Sequence, residues 1–291
     1  MNGVLNLDKP AGITSHDVIA RVRRICSTKR VGHAGTLDPG ATGVLLVCVG
    51  SATRLVEHLV SQGKRYSAEL VLGMRTDTQD ISGTVLNTMS ASKVTAEDLQ
   101  DALASYTGLI KQIPPMVSAV HHEGKRLYEL ARQGITVDRV ARDIMVHSIS
   151  FEEFRGGTLA KATLDIHCGK GTYVRTLCSD IGTDLGTGGC MGQLRRTAVG
   201  PYLITDSIRL DELTVDKAMK FLRPASDALP WLPKYSLESQ AEETDILHGR
   251  TIRAQIDNAE TVCVVSSSAR LIALARCADG VLYPSKVFPD A

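Results

Sequence analysis

Residues Ile144 to His167 read IMVHSISFEEFRGGTLAKATLDIH, two strand candidates, Ile144 to Phe151 and Thr158 to His167, flanking the hairpin-like turn Arg155-Gly156-Gly157. A turn that short joins neighbours running in opposite directions, so the stretch predicts antiparallel pairing. Beyond it, Gly169-Lys170-Gly171-Thr172-Tyr173 leads into a helix from about Val174 to Leu185. Upstream, Gly3 to Leu7, Val44 to Val49 and Tyr66 to Leu72 are further strand candidates. One helix is predicted after Pro10-Ala11-Gly12, capped by Thr14 or Ser15, and another from Thr95 to Ala104. Strands and helices therefore mix irregularly. That order argues against a doubly wound parallel sheet and for an α+β fold with a mainly antiparallel, mixed sheet flanked by helices.

The chain has 291 residues, 43% of them hydrophobic, which is ample for a packed core. Its net charge of +1 does not announce a nucleic-acid partner, which would need a local basic surface. Two such surfaces are legible. Arg21, Arg23 and Arg24 fall off the apolar stripe Val18, Ile19, Val22, Ile25 and are followed by Lys29 and Arg30. The stretch 110–142 reads as a basic, mobile insert, with Lys125, Arg126, Arg132, Arg139 and Arg142 set against Glu123, Glu129 and Asp138. Seven cysteines, odd in number and never spaced as CxxC, read as reduced, buried thiols. The N-terminus lacks a basic segment followed by an apolar one, and the longest apolar run is short, so a soluble, cytoplasmic protein is expected.

A composition change at Leu229-Pro230-Trp231-Leu232-Pro233 sets the expected boundary between a large domain, 1–232, and a small module, 233–291. In the module, Leu237 to His248 reads as a helix, and Thr261 to Val265, Leu271 to Arg276 and Gly280 to Tyr283 as short strands. So little core is expected to need support from the main domain.

The candidate chemistry lies in Gly32-His33-Ala34-Gly35-Thr36-Leu37-Asp38-Pro39-Gly40-Ala41-Thr42-Gly43. Glycines admit unusual backbone angles and close approach of a ligand, while Pro39 fixes its own φ and pushes Asp38 toward extended geometry. A lone Asp in such a turn most often only caps it.

The wider pattern His33-x-Gly35-x-Leu37-Asp38-Pro39-x-Ala41-x-Gly43-Val44-Leu45, closed by Ala52-Thr53-Arg54, resembles the catalytic motif of the TruB family, bacterial synthases that make pseudouridine in the T-loop of transfer RNA. The stretch from Gly3 to Ser15, which contains Lys9, is similar to that family's opening motif. Lys64-Arg65-Tyr66, Arg75-Thr76-Asp77-Thr78-x-Asp80-x-x-Gly83, Gly171-Thr172-Tyr173-Val174-Arg175 and Leu194-Arg195-Arg196-Thr197-x-x-Gly200 match further motifs in order. Taken singly, Tyr66 reads as a half-buried sheet residue, Arg175 as a surface helix residue, and Asp77 with Asp80 as a polar turn. Their joint occurrence marks them as site residues.

The resemblance implies a pseudouridine synthase fold with a PUA-like C-terminal module, acting on the T-arm of transfer RNA as a monomer without metal or cofactor. It makes Asp38 the catalytic carboxylate, Arg175 its partner, steadied by Asp80, and Tyr66 the ring that stacks on the uracil. An Arg neighbour favours the charged form of a carboxylate in a desolvated pocket. Tyr173 and Leu194 complete the apolar walls, His33 fills the space that a flipped nucleotide leaves, and Lys9 is the best candidate phosphate contact. Two other readings are a guide-RNA-dependent relative and a transfer RNA folding factor.

Overall fold

The computed structural model describes residues 1–118 and 120–289; position 119 of the insert and the last two residues of the C-terminal module lie outside that description. The chain divides into two compact units, one of Met1–Pro39, Gly43–Val60 and the stretch from Pro201 onward, the other of Gly40–Thr42 and Ser61–Gly200.

The first unit is built on the strand Gly3–Lys9, which runs antiparallel to residues 43–49 from Gly3 opposite Val49 to Lys9 opposite Gly43. On its other side Leu7 and Asp8 pair in parallel with Ile208 and Arg209, so the sheet is mixed. Val44 to Val49 is wholly buried, which accounts for its unbroken apolar run. Val31–His33 pairs with Val47–Val49 and carries the chain into the Asp38 loop. In sequence the helix Ser15–Ile25 lies between Gly3–Lys9 and Val31–His33. Thr14 caps it in a reciprocal box with Asp17, and Val18, Ile19 and Val22 form its buried stripe, leaving Ile25 only half-buried.

The stretch from residue 234 forms its own five-stranded sheet in the order Lys234–Ser236, Ala259–Val265, Leu271–Ala278, Val281–Val287, Ile252–Arg253. Ile246, from the helix Gln240–Leu247, packs with Val262, Val264, Ile272 and Leu282 in its core. That helix starts three residues later than the Leu237 start read from sequence, because Ser239 accepts the Glu242 N–H and caps it there. Arg54 holds the module's last strand by donating to the Val287 carbonyl and lying 5.1 Å over the Phe288 ring, while Lys286 pairs with Glu57.

The second unit is an antiparallel sheet in the order Gly189–Val199, Lys64–Leu72, Lys161–Cys168, Arg142–Arg155, Gly108–Gln112. The predicted hairpin is present as Arg142–Arg155 and Lys161–Cys168, longer at both outer ends, but its turn spans 156–160: Arg155 still belongs to the strand, and the second strand starts three residues after Thr158. The strand Gly189–Val199 has no counterpart among the sequence expectations. Its glycines and the run Gln193 to Thr197 show no alternation, and it bulges between Met191 and Leu194, so only the ladder with Lys64–Leu72 makes it a strand. The insert is also more ordered than its composition suggests: His121–His122 pairs with Lys125–Arg126, and Leu127–Arg132 is helical.

The helix Val174–Asp184 sits directly on the backbone of the strand after it. A Cβ on Gly182 would stand 2.3 Å from the Gly189 nitrogen, and one on Gly189 would stand 2.5 Å from the Cys178 carbonyl oxygen. In the glycine-rich stretch before Leu194, Gly189 thus lets helix and strand touch, while Gly188 and Gly192 make room for the Arg75 and Glu69 side chains. All seven cysteines are free thiols; six are buried, and burial pushes Cys48 up to about 12. Among the described residues, no helix is long and apolar enough to cross a membrane.

Candidate active site

Asp38 is half-buried on a loop whose two sides are fastened separately. On the N-terminal side, the Ser15 hydroxyl accepts the Leu37 N–H at 2.9 Å and donates to the Leu37 carbonyl at 3.1 Å. On the C-terminal side, the Pro39 carbonyl accepts the Gly12 N–H at 2.9 Å and the Lys9 ammonium at 3.2 Å. Gly35 and Gly43, at φ of 101° and 104°, provide the left-handed turns that close the loop. The first strand and the start of the first helix therefore set where the carboxylate stands. From sequence, Ser15 is only an alternative helix cap.

Lys9 requires a correction. The motif suggests a phosphate contact, but the side chain has no exposed surface, and its ammonium donates to the carbonyls of Pro10 and Pro39. Burying an ammonium is costly unless oxygens surround it, so its place is inside the loop rather than on an RNA-facing surface. His33 lies at the end of Val31–His33, its ring edge-on to His16 with centroids 5.7 Å apart.

The second unit carries the other site candidates. Tyr66 is 8% exposed on the strand Lys64–Leu72, opposite Ile166 on one side and Arg196 on the other. Arg175 is 4% exposed in the first turn of Val174–Asp184, so it is not the surface helix residue that its type alone suggests. Its Nη1 donates to the Thr78 carbonyl at 3.2 Å and its Nη2 to the Val117 carbonyl at 2.9 Å. The Asp80 carboxylate stands 3.9 Å from Nη1, an ion pair rather than a hydrogen bond. Asp80 is itself held by the Thr78 and Ser82 hydroxyls.

Tyr173 occupies the cap position of the same helix. Its N–H donates to Gln112 Oε1 at 2.8 Å and its carbonyl accepts Gln112 Nε2 at 3.0 Å, a backbone clamp for which the sequence carries no signal. Leu194 follows the bulge, half-buried, and its carbonyl accepts the Thr42 hydroxyl at 3.5 Å. Two residues before Tyr66, burial and the nearby Arg196 push the Lys64 ammonium down to about 8. Asp38, His33 and Lys9 thus belong to one unit, and Tyr66, Asp80, Tyr173, Arg175 and Leu194 to the other.

Residues 23–174 match the family model of the TruB family pseudouridylate synthase N-terminal domain, and residues 175–229 match that of the tRNA pseudouridylate synthase B C-terminal domain. The chain belongs to the TruB family. It is 47% identical over 249 residues to tRNA pseudouridine synthase B of Symbiobacterium thermophilum, covering 86% of this chain and 82% of that relative. The enzyme of the same name from Dehalococcoides mccartyi strain 195 is 42% identical over 294 residues, covering 99% and 97%.

Among solved structures, a chain in a Cbf5-Nop10-Gar1 complex superposes with a TM-score of 0.73 at 27% identity, covering 98% of this chain and 84% of that one. A chain in an H/ACA RNP bound to a substrate RNA containing 2′-deoxyuridine gives 0.72 at 26%, with the same coverage. The TruB fold expected from the motifs is therefore the fold found.

Proposed function

We propose that this TruB-family enzyme isomerises uridine to pseudouridine at position 55, in the T-loop of transfer RNA, with Asp38 as the catalytic carboxylate. The observation that carries the reading is the Asp38 loop, fastened on both sides by Ser15, Gly12 and Lys9 within a chain 42% identical, nearly end to end, to a tRNA pseudouridine synthase B. A rigid mount lets a carboxylate meet a substrate without first being ordered.

In the reaction the N1–C1′ bond breaks, the uracil turns over in place, C5 bonds to C1′, and the C5 proton leaves as N1 regains one. Asp38 acts on the sugar or base, with Arg175 its partner and Asp80 steadying the guanidinium. Tyr66 stacks on the uracil, a contact worth about 1–3 kcal/mol, and its hydroxyl is a candidate acceptor for the C5 proton. Tyr173 and Leu194 wall the pocket. Flipping the uridine out of the loop costs a few kcal/mol. His33 offsets part of that by filling the vacated space.

The exposed Arg21, Arg23, Arg24 and Lys29 and the basic insert meet phosphates, and the stretch 233–291 serves as a small PUA-like RNA-binding module. The enzyme works as a cytoplasmic monomer, with no cofactor required. Curated relatives at 42–47% identity named tRNA pseudouridine synthase B favour a stand-alone enzyme over assemblies such as the H/ACA RNP and the Cbf5-Nop10-Gar1 complex, which contain the 26–27% identical structural neighbours.

Asp38→Asn tests the reading. The variant is expected to bind unmodified transfer RNA as the parent does and to release no tritium from 5-tritiated uridine in it. Tritium release at the parent rate would remove Asp38 from the chemistry.

A further inference from the structure

The motif around Asp80 leaves one position open, and the structure fills it with an unusual residue. Gln79 has a left-handed backbone at φ 65°, a conformation that non-glycine residues adopt rarely and keep only where neighbours enforce it. Three contacts enforce it here. Its N–H donates to the Thr76 carbonyl, its carbonyl accepts the Met191 N–H at 2.9 Å, and its side-chain Oε1 accepts the Thr176 hydroxyl at 2.8 Å.

The side-chain contact and both chain neighbours of Gln79 lead to Arg175. Thr176, 2% exposed, follows Arg175 in the first turn of the helix. Thr78, on one side of Gln79, gives its carbonyl to Arg175 Nη1. Asp80, on the other side, supplies the carboxylate 3.9 Å from the same nitrogen. The Ile81 N–H also donates to the Met191 carbonyl, so Met191 grips the chain on both sides of Asp80. Gln79 is thus where the acidic loop, the strand Gly189–Val199 and the start of the Arg175 helix are tied together.

We infer that Gln79 is a positioning residue for the reaction, its side-chain amide fixing the first helical turn so that the Arg175 guanidinium stays aimed between Thr78 and Asp80. The inference rests on the proposed role of Arg175. A long guanidinium has many rotamers, and its carbonyl partners Thr78 and Val117 come from loops rather than from regular elements. Holding helix and loop to each other removes the alternatives in which Arg175 swings away, and catalytic groups displaced by even a fraction of an ångström lose rate steeply.

The experiment separates this from a folding role. Glycine adopts the left-handed angle without strain, so Gln79→Gly keeps the turn and deletes only the amide. It is expected to keep the parent's thermal midpoint while kcat for pseudouridine formation falls about tenfold and the KM for transfer RNA stays within about twofold. Thr176→Val, which removes the partner hydroxyl, should reproduce the kcat loss, with the double variant no worse than the poorer single one. Gln79→Glu, which keeps an acceptor for Thr176, should recover most of the rate.

Parent-like kcat in Gln79→Gly, or a kcat loss matched by a lowered midpoint, would overturn the inference. Arg175→Met is measured alongside. If that variant keeps the parent kcat, the reading of Arg175 fails; if it is inactive while Gln79→Gly is unaffected, only the positioning role fails.

Discussion

At the scale of single residues, burial decides more than residue type. Lys9, expected to meet a phosphate, and Lys64 are both buried lysines, and each donates to carbonyl oxygen inside the protein. Lys64 has a measurable consequence. Desolvation, helped by Arg196, lowers its folded-state value to about 8, below the roughly 10.4 of an unfolded lysine. The folded protein holds this proton less tightly than the unfolded chain does, so the charged ammonium penalises folding. The penalty is complete below pH 8 and lifts as pH rises through the interval between the two values. Urea unfolding of the parent and of Lys64→Met at about pH 7.5 and about pH 9.5 should show the parent gaining about 1–2 kcal/mol relative to the variant at the higher pH. Parallel pH dependences would mean that the ammonium is not desolvated.

At the scale of elements, contacts between backbones place the site residues. The helix Val174–Asp184 carries Arg175, and it approaches the strand Gly189–Val199 closely because Gly182 and Gly189 have no side chains there. Gly182→Ala must push the helix away from a backbone that cannot yield, an overpacking that typically costs about 1–3 kcal/mol. A lowered urea midpoint is expected, with a fall in kcat as Arg175 moves with its helix. A parent-like midpoint would show that the helix and strand have slack between them. The glycines were legible in the sequence, but their purpose was not. A glycine cluster signals close approach only once the opposing backbone is known, and Cys178 and Gly182 lie in a different element.

At the scale of the whole molecule, a net charge of +1 coexists with a locally basic insert. In the insert, Arg126 and Arg132 lie 6.0 and 5.4 Å from the centroid of the Tyr128 ring, presenting two cations around one aromatic plate. If this hairpin and helix meet the RNA backbone, affinity for transfer RNA falls with salt, and Arg132→Ala lowers the slope of log affinity against log salt by about 0.7–0.9 for each phosphate that Arg132 neutralises. An unchanged slope would place the neutralised phosphates elsewhere.

The sequence by itself determined the fold class, the loop that holds Asp38, the capped first helix, the predicted hairpin and the family, because these rest on local patterns: alternation, caps, turn residues and motif strings. The tertiary structure alone decided which side chains reach solvent and which strands pair beyond that hairpin. Lys9 turned inward, Arg175 became buried, Ser15, Gln79 and Gln112 became fasteners, and Gly189–Val199 became a strand next to Lys64–Leu72. Each of those outcomes depends on a partner far along the chain. A hydrogen bond between residues such as Thr176 and Gln79 leaves no mark on the sequence around either of them, since only folding brings donor and acceptor together.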